Sequence, residues 1–220
     1  METFRNKIFI ILMLMICVQP ANSHEKGDFI VRIGPALIEP NDSSDDVQGI
    51  PGTEVGVDNN VTLGFTIGYM VTSNIAVELL GVTPSNHDLR GREGIGALNK
   101  IGEVDVFPPT LCLQYHLGSS STIQPYVGAG INYTHFSNED SSASLDTALG
   151  GSTDLDVDDS WGLAAQVGVD VSINDSWLIN AAVWYVDIDA DATLSTGGVD
   201  RDVDIDIDPW VFFIGIGKKF

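Results

Sequence analysis

Three acidic strings punctuate the second half of the chain: DLDVDD from Asp154 to Asp159, DIDAD from Asp187 to Asp191, and DVDIDID from Asp202 to Asp208. Carboxylates at this density suit calcium only when they converge, because the ion takes about 6–8 oxygens. Alternate aspartates on an extended strand instead fan along one face, and no EF-hand spacing of glycine and glutamate follows them. They read as a solvated acidic collar, open to divalent bridging with lipid head groups. The four histidines are scattered, with His24 expected at the start of the processed chain, so no zinc set is expected. Neither a metal nor a cofactor enters the reading. GxSxG, a Walker loop and HExxH are absent from the sequence. No spacing sets a serine against a base, so the chain is not expected to be an enzyme.

The bulk properties narrow the partners. The chain has 220 residues and a formal charge of −21, which argues against nucleic acid, since phosphate contacts need lysine and arginine. At 44% hydrophobic residues it is too apolar for a disordered coil. Residues 1–23 read as a secretory leader: Arg5 and Lys7, an apolar run from Ile8 to Val18, then Ala21-Asn22-Ser23 before a cut at His24. A lipoprotein cysteine at Cys17 is the weaker alternative, because Met15 and Ile16 are bulky where small residues are wanted. Cleavage leaves Cys112 as the one cysteine, so no intramolecular disulfide is expected. Residues 24–220 form a single domain in this reading.

What must position any chemistry is a set of strands. Period-two alternation runs through eight segments: Asp28–Glu39, Val57–Val71, Asn74–Pro84, Glu103–Leu117, Thr122–Phe136, Leu155–Ile173, Ser176–Asp191 and Val199–Phe220. Helical spacing is nearly absent. Connections at VTSN, HLGSSST and IND are short. Those at 40–56, 85–102 and 137–154 are long, and the one at 192–198 is short. Turns and loops sorted by length predict an all-β fold: an eight-stranded antiparallel transmembrane β-barrel with short periplasmic turns and longer extracellular loops. A soluble barrel or sandwich is the competing reading of the alternation, and it gives no reason for that sorting.

The last 22 residues, VDRDVDIDIDPWVFFIGIGKKF, test the orientation. With even residues outward, Trp210, Phe212, Ile214, Ile216 and Phe220 meet lipid over one membrane thickness. Asp200 to Asp208 then lie outside, above the bilayer. Val199, Val203, Ile205, Ile207, Val211 and Phe213 point inward. The seventh segment repeats the pattern, with Trp177 to Tyr185 outward and Leu178, Ala182, Trp184, Val186 and Ile188 inward. The barrel is thus expected to extend past the membrane with an acidic coat and an apolar upper lumen. A bulge at Pro209 would reverse this and aim the aspartates into the pore. Lower down, Arg32, Glu78, His116, Gln166 and Asp170 share the inward face. They are expected to form a charge-paired plug, since eight strands leave little room beyond packed side chains.

The segments VELLGVTP, FPPTLCLQYHLG, PYVGAGINYTHF, DDSWGLAAQVGVD, WYVDIDADA and DIDPWVFFIGIGKKF, in this order, resemble the outer membrane protein W family of Gram-negative bacteria. The resemblance covers the whole processed chain. It implies a long, narrow, hydrophobic channel for small apolar molecules, in a family whose related proteins import alkanes. It also implies a gate of one leucine and one tryptophan, matching Leu80 and Trp184 here, both already inward in the register above. The expected function is passive uptake of small hydrophobic molecules through a lumen lined by Leu80, Trp184, Val186, Ile188, Val203, Ile205, Ile207 and Val211, with lateral exit to the bilayer. Expected partners are outer-membrane lipid, lipopolysaccharide and the solutes themselves, around a monomeric barrel. Two other readings stay open at this point: a closed structural barrel presenting acidic loops, and a weakly cation-selective porin.

Overall fold

The computed structural model describes residues 24–117 and 122–220. The expected leader, and part of the turn that follows His116, lie outside the described residues. Eight strands form the wall: β1 (Phe29–Glu39), β2 (Val55–Val57 and Asn60–Met70), β3 (Ile75–Val82 and Ser85–Gly91), β4 (Lys100–Phe107 and Thr110–His116), β5 (Ile123–Ser141), β6 (Thr153–Val157 and Ser160–Ser172), β7 (Trp177–Val186 and Asp189–Thr196) and β8 (Val199–Asp206 and Trp210–Lys219). Every neighbouring pair is antiparallel. β1 pairs with both β2 and β8, and β5 pairs with β6, so the sheet closes on itself. Closure removes the edge strands, the condition for putting a sheet in lipid.

The alternation sorts by face because the two sides of the wall meet different media. On β6 the outward set Trp161, Leu163 and Val167 is exposed, whereas Ala164, Gln166 and Asp170 between them are buried. Aromatic rings mark both ends of the outer apolar band. Tyr133 packs on Trp161 at 4.8 Å and Tyr185 on Trp210 at 5.2 Å at one end, while Phe29 meets Tyr69 at 4.8 Å at the other. Trp177 and Tyr185 lie eight residues apart on β7. That is about 27 Å along the strand, or about 20 Å along the axis at a tilt of ~40°, with the rings completing the band. Val167→Arg, at the middle of the band on β6, is therefore expected to cost about 2–4 kcal/mol in urea unfolding from lipid vesicles. A cost near zero would mean that this face does not meet hydrocarbon.

Two expectations about continuity fail. Five of the eight segments read as unbroken strands are interrupted at one level, whereas β1 is continuous and β5 runs past that level without a break. The breaks fall at Asp58–Asn59, Thr83–Pro84, Pro108–Pro109, Asp158–Asp159, Asp187–Ile188 and Ile207–Pro209. Proline withholds the N–H that a ladder needs, and Asp208 adopts a left-handed backbone, φ 42°. Parity nevertheless survives the break in β8: Ile205 and Val211 are both buried, and Asp206 and Trp210 both exposed. The bulge that would have turned the aspartates inward is not formed.

Beyond the breaks, the outer halves make two sheets instead of loops. One joins the outer parts of β6, β7 and β8 to Ser43–Ser44; the other joins those of β2, β3, β4 and β5. Much of 85–102, expected as loop, is thus strand, whereas in 40–56 only Ser43–Ser44 and the start of Val55–Val57 are. The loop expected at 192–198 shrinks to a two-residue turn at Gly197 and Gly198, φ 60° and 82°, conformations that glycine alone adopts freely. Val199, expected inward, sits beside that turn and is 52% exposed, because the tip lies beyond the lumen.

A short helix was not expected. α1 (Ala143–Leu149) opens on Ser142, whose side chain accepts the Leu145 N–H, and closes on Gly150 at φ 85°. It sits at the seam between β5 and β6, where Ser141 Oγ donates to Thr153 O at 2.8 Å and the Asp146 carboxylate accepts the Thr153 N–H at 2.9 Å.

Candidate functional site

The lumen has two levels of opposite chemistry. The lower level is a fully buried polar network centred on Arg32 of β1. The inward face is crowded, and glycine makes the room: a β-carbon on Gly168 would lie 2.4 Å from the Tyr126 ring. Arg32 takes Asp170 of β6 in a two-pronged pair, Nε to Oδ1 at 3.0 Å and NH2 to Oδ2 at 2.6 Å. Its NH1 donates to Glu78 Oε2 of β3 at 2.6 Å and to Thr66 Oγ1 of β2 at 3.2 Å. Gln166 Nε2 donates to the other Glu78 oxygen at 2.7 Å, Gln114 Nε2 to Gln166 Oε1 at 3.1 Å, and His116 Nε2 to Gln114 Oε1 at 3.1 Å. Asn180 of β7 bridges Asp170 and the Tyr126 hydroxyl at 2.8 and 2.9 Å. Arg32, Glu78, His116, Gln166 and Asp170 thus come together in one chain of hydrogen bonds. In this network one guanidinium serves two carboxylates, Glu78 and Asp170, and the buried polar groups fill the lower lumen.

Thr66, Gln114, Tyr126, Asn180 and His24 belong to the same network, although they were not among the expected site residues. Inward parity marked the first four. His24 precedes β1, where alternation carries no information, yet its Nε2 donates to Asp170 Oδ2 at 2.9 Å. The histidines are therefore not all scattered: His24, His116 and Asp170 each bring one ligand-type atom within 4.8 Å of the others. Both Asp170 oxygens are already held by Arg32.

The upper level is apolar. Leu80, Val186, Ile188, Ile205, Ile207 and Val211 border a narrow cavity of about 50 Å³, which lies at the level of the strand breaks and is also lined by Pro40, Pro108 and Pro209. A smaller space of about 20 Å³, lined by Val203, Ile205, Leu155, Leu194 and Leu145 of α1, adjoins it further out. Trp184 does not border the first of these cavities. It lies one pleat below Val186, fully buried, edge-on to Phe213 with ring centres 6.1 Å apart. The indole thus floors the apolar level and roofs the polar one.

Two further sequence readings need correction. Asp187, Asp189 and Asp208 do not fan apart: their carboxylates converge within 4.8 Å, because the break in β8 swings Asp208 across. Asp208 is engaged there by the Tyr185 hydroxyl at 2.8 Å and the Ile188 N–H at 3.2 Å. Burial, then the neighbouring aspartates, raise the pKa of Asp189 above the ordinary carboxylate value. Secondly, a serine is set against a base. Ser85 Oγ lies 2.9 Å from His87 Nε2, and both line the apolar cavity at the level of the strand breaks. The partner of His87 Nδ1 is the main-chain carbonyl of Asp58 at 3.2 Å, with no carboxylate in that position.

The comparisons with known proteins agree with this geometry. Residues 25–220 match the model of the OmpW family. Outer membrane protein W of Vibrio cholerae serotype O1 is 48% identical over 203 residues, covering 91% of this chain and 92% of that protein. Outer membrane protein AlkL of Ectopseudomonas oleovorans is 30% identical over 207 residues, covering 91% of this chain and 86% of that protein. The crystal structure of OprG from Pseudomonas aeruginosa superposes with a TM-score of 0.83 at 40% identity, covering 91% of this chain and 99% of that one. A closed barrel with an apolar belt, a paired polar base and an apolar upper lumen, matched along nearly its whole length, belongs to the OmpW family of outer-membrane proteins.

Proposed function

We propose that the barrel takes small apolar solutes from outside into its upper lumen and releases them sideways into the outer leaflet of the bilayer. The observation that carries this reading is the vertical order of the lumen: an apolar cavity lies above the buried Trp184–Phe213 pair, and below that pair Arg32 is engaged by Asp170 and Glu78. A solute entering from outside meets no polar barrier until the floor, and below it would have to break the Arg32 network. The wall is interrupted beside the cavity. The β2–β3 ladder stops at Gly64↔Val82 and resumes at Val57↔Leu89, with Pro84 between. In this reading the barrel works as a monomer in lipid and lipopolysaccharide.

The aspartates from Asp200 to Asp206 on the even positions of β8 lie on the outer surface. That removes the main feature the cation-selective alternative needs. A fluorescence titration of the refolded barrel with a long-chain aldehyde separates the remaining alternatives. Trp161, Trp177 and Trp210 face outward, so Trp184 is the indole placed to respond to the lumen. A saturable change that disappears in Trp184→Phe is expected. No change in either protein would favour the closed structural barrel.

A further inference from the structure

We propose that Ser85 and His87 form a polar subsite in the wall of the apolar cavity, one that accepts a hydrogen bond from the hydroxyl head of a medium-chain alcohol. This rests on the uptake reading above and narrows its solute class. The cavity walls are otherwise valine, leucine, isoleucine, alanine, phenylalanine and proline, apart from Thr110. Two polar side chains at such a place, on alternate positions of one strand, form a recognition feature if their unused capacity points one way.

The hydrogen-bond directions follow from the partners. The Asp58 carbonyl can only accept, so the proton of a neutral His87 sits on Nδ1. Nε2 is then an acceptor, and the Ser85 hydroxyl must donate to it across 2.9 Å. Burial lowers the pKa of His87 below the ordinary imidazole value, against the smaller opposing effects of the Asp58 carbonyl and the Asp105 and Asp58 carboxylates, which keeps the ring neutral at neutral pH. Ser85 Oγ has thus used its proton and keeps only lone pairs. Thr110 is committed elsewhere: it donates to Pro108 O at 3.2 Å and accepts from Asn132 Nδ2 at 2.9 Å. The polar capacity left toward the cavity is therefore acceptor-only. A solute with a donor head gains a bond there. An alkane neither gains nor loses one, and an ether would set lone pairs against lone pairs.

The test uses the whole refolded barrel in lipid nanodiscs and follows Trp184 emission on titration with 1-octanol, n-nonane and di-n-butyl ether, each corrected for its partition into lipid. Octanol is expected to half-saturate at about five-fold lower concentration than nonane, the equivalent of one net hydrogen bond, with no gain for the ether. Ser85→Ala should remove the difference and Ser85→Thr, which keeps the oxygen, should retain it. The wild-type octanol-to-ether comparison stands even if a variant fails to fold. Equal binding of all three probes, or an octanol preference that survives in Ser85→Ala, would overturn the subsite and leave the uptake reading intact. Failure of every probe to bind would overturn both.

Discussion

Arg32→Met is expected to destabilise the barrel by about 3–5 kcal/mol, read as a lower urea midpoint in lipid vesicles at unchanged slope. Methionine fills much of the arginine's volume, so the loss is electrical. It strands the Glu78 and Asp170 carboxylates, 1% and 0% exposed, whose direct cationic partner in the barrel wall is this guanidinium. Neutralising those carboxylates in the same chain, as Arg32→Met with Glu78→Gln and Asp170→Asn, is expected to recover part of the loss, because no uncompensated charge then remains. Arg92 supplies the control. It also holds an aspartate, Asp42 at 2.8 Å, but its own side chain is 44% exposed and only one buried carboxylate, 6% exposed, depends on it. Arg92→Met should therefore cost less than Arg32→Met. Similar costs for Arg32 and Arg92 would mean that water reaches the lower lumen and that it is no plug.

How much of this was legible in the sequence depends on what imposed the order. Alternation in β6, β7 and β8 could be read because lipid outside and a crowded lumen inside each constrain every second residue, and a slip of one would invert both. The inward placement of Arg32, Glu78, His116, Gln166 and Asp170, and of the upper apolar set, follows from that parity. The strand breaks were not legible. Asp187–Ile188 and Ile207–Pro209 interrupt the ladder without changing which face Ile188 or Ile205 occupies, so the residue pattern carries no trace of them. α1 is seven residues long, too short to show a helical period against the surrounding alternation. His24 lies outside any strand and is held by a hydrogen bond to Asp170 and an edge-on contact with the His116 ring. The Ser85–His87 pair was hidden for another reason: 85–102 looked like loop, and only once Ser85–Gly91 is a strand do residues 85 and 87 share a face.

The second large effect concerns the exit. A disulfide across the β2–β3 seam, made by Thr62→Cys with Thr83→Cys, is expected to abolish uptake of an apolar dye such as N-phenyl-1-naphthylamine by cells carrying the barrel, and reduction should restore it. The two hydroxyls lie 2.6 Å apart, and Thr83 N–H donates to Leu63 O at 2.9 Å just below the interruption. Cysteines there are close enough to bridge without moving the backbone far. Just outward of this point, the interrupted stretch is stitched by a side chain, Asn60 Nδ2 to Asn86 O at 2.8 Å. Side-chain stitching of this kind parts more readily than a ladder, which offers a solute in the cavity beside Ser85 and His87 a way out through this wall. Widening the seam requires Thr62 and Thr83 to separate, and the disulfide forbids it. Cys112 is buried on the lumen side of β4 and does not compete for the bridge. Binding measured through Trp184 should survive the lock, because the cavity itself is untouched. Loss of dye uptake with retained binding would place the exit at this seam. Uptake that continues through the oxidised barrel would move the exit to the β3–β4 seam, where the ladder also lapses between Leu80↔Thr110 and Ser85↔Val106, or downward past Trp184.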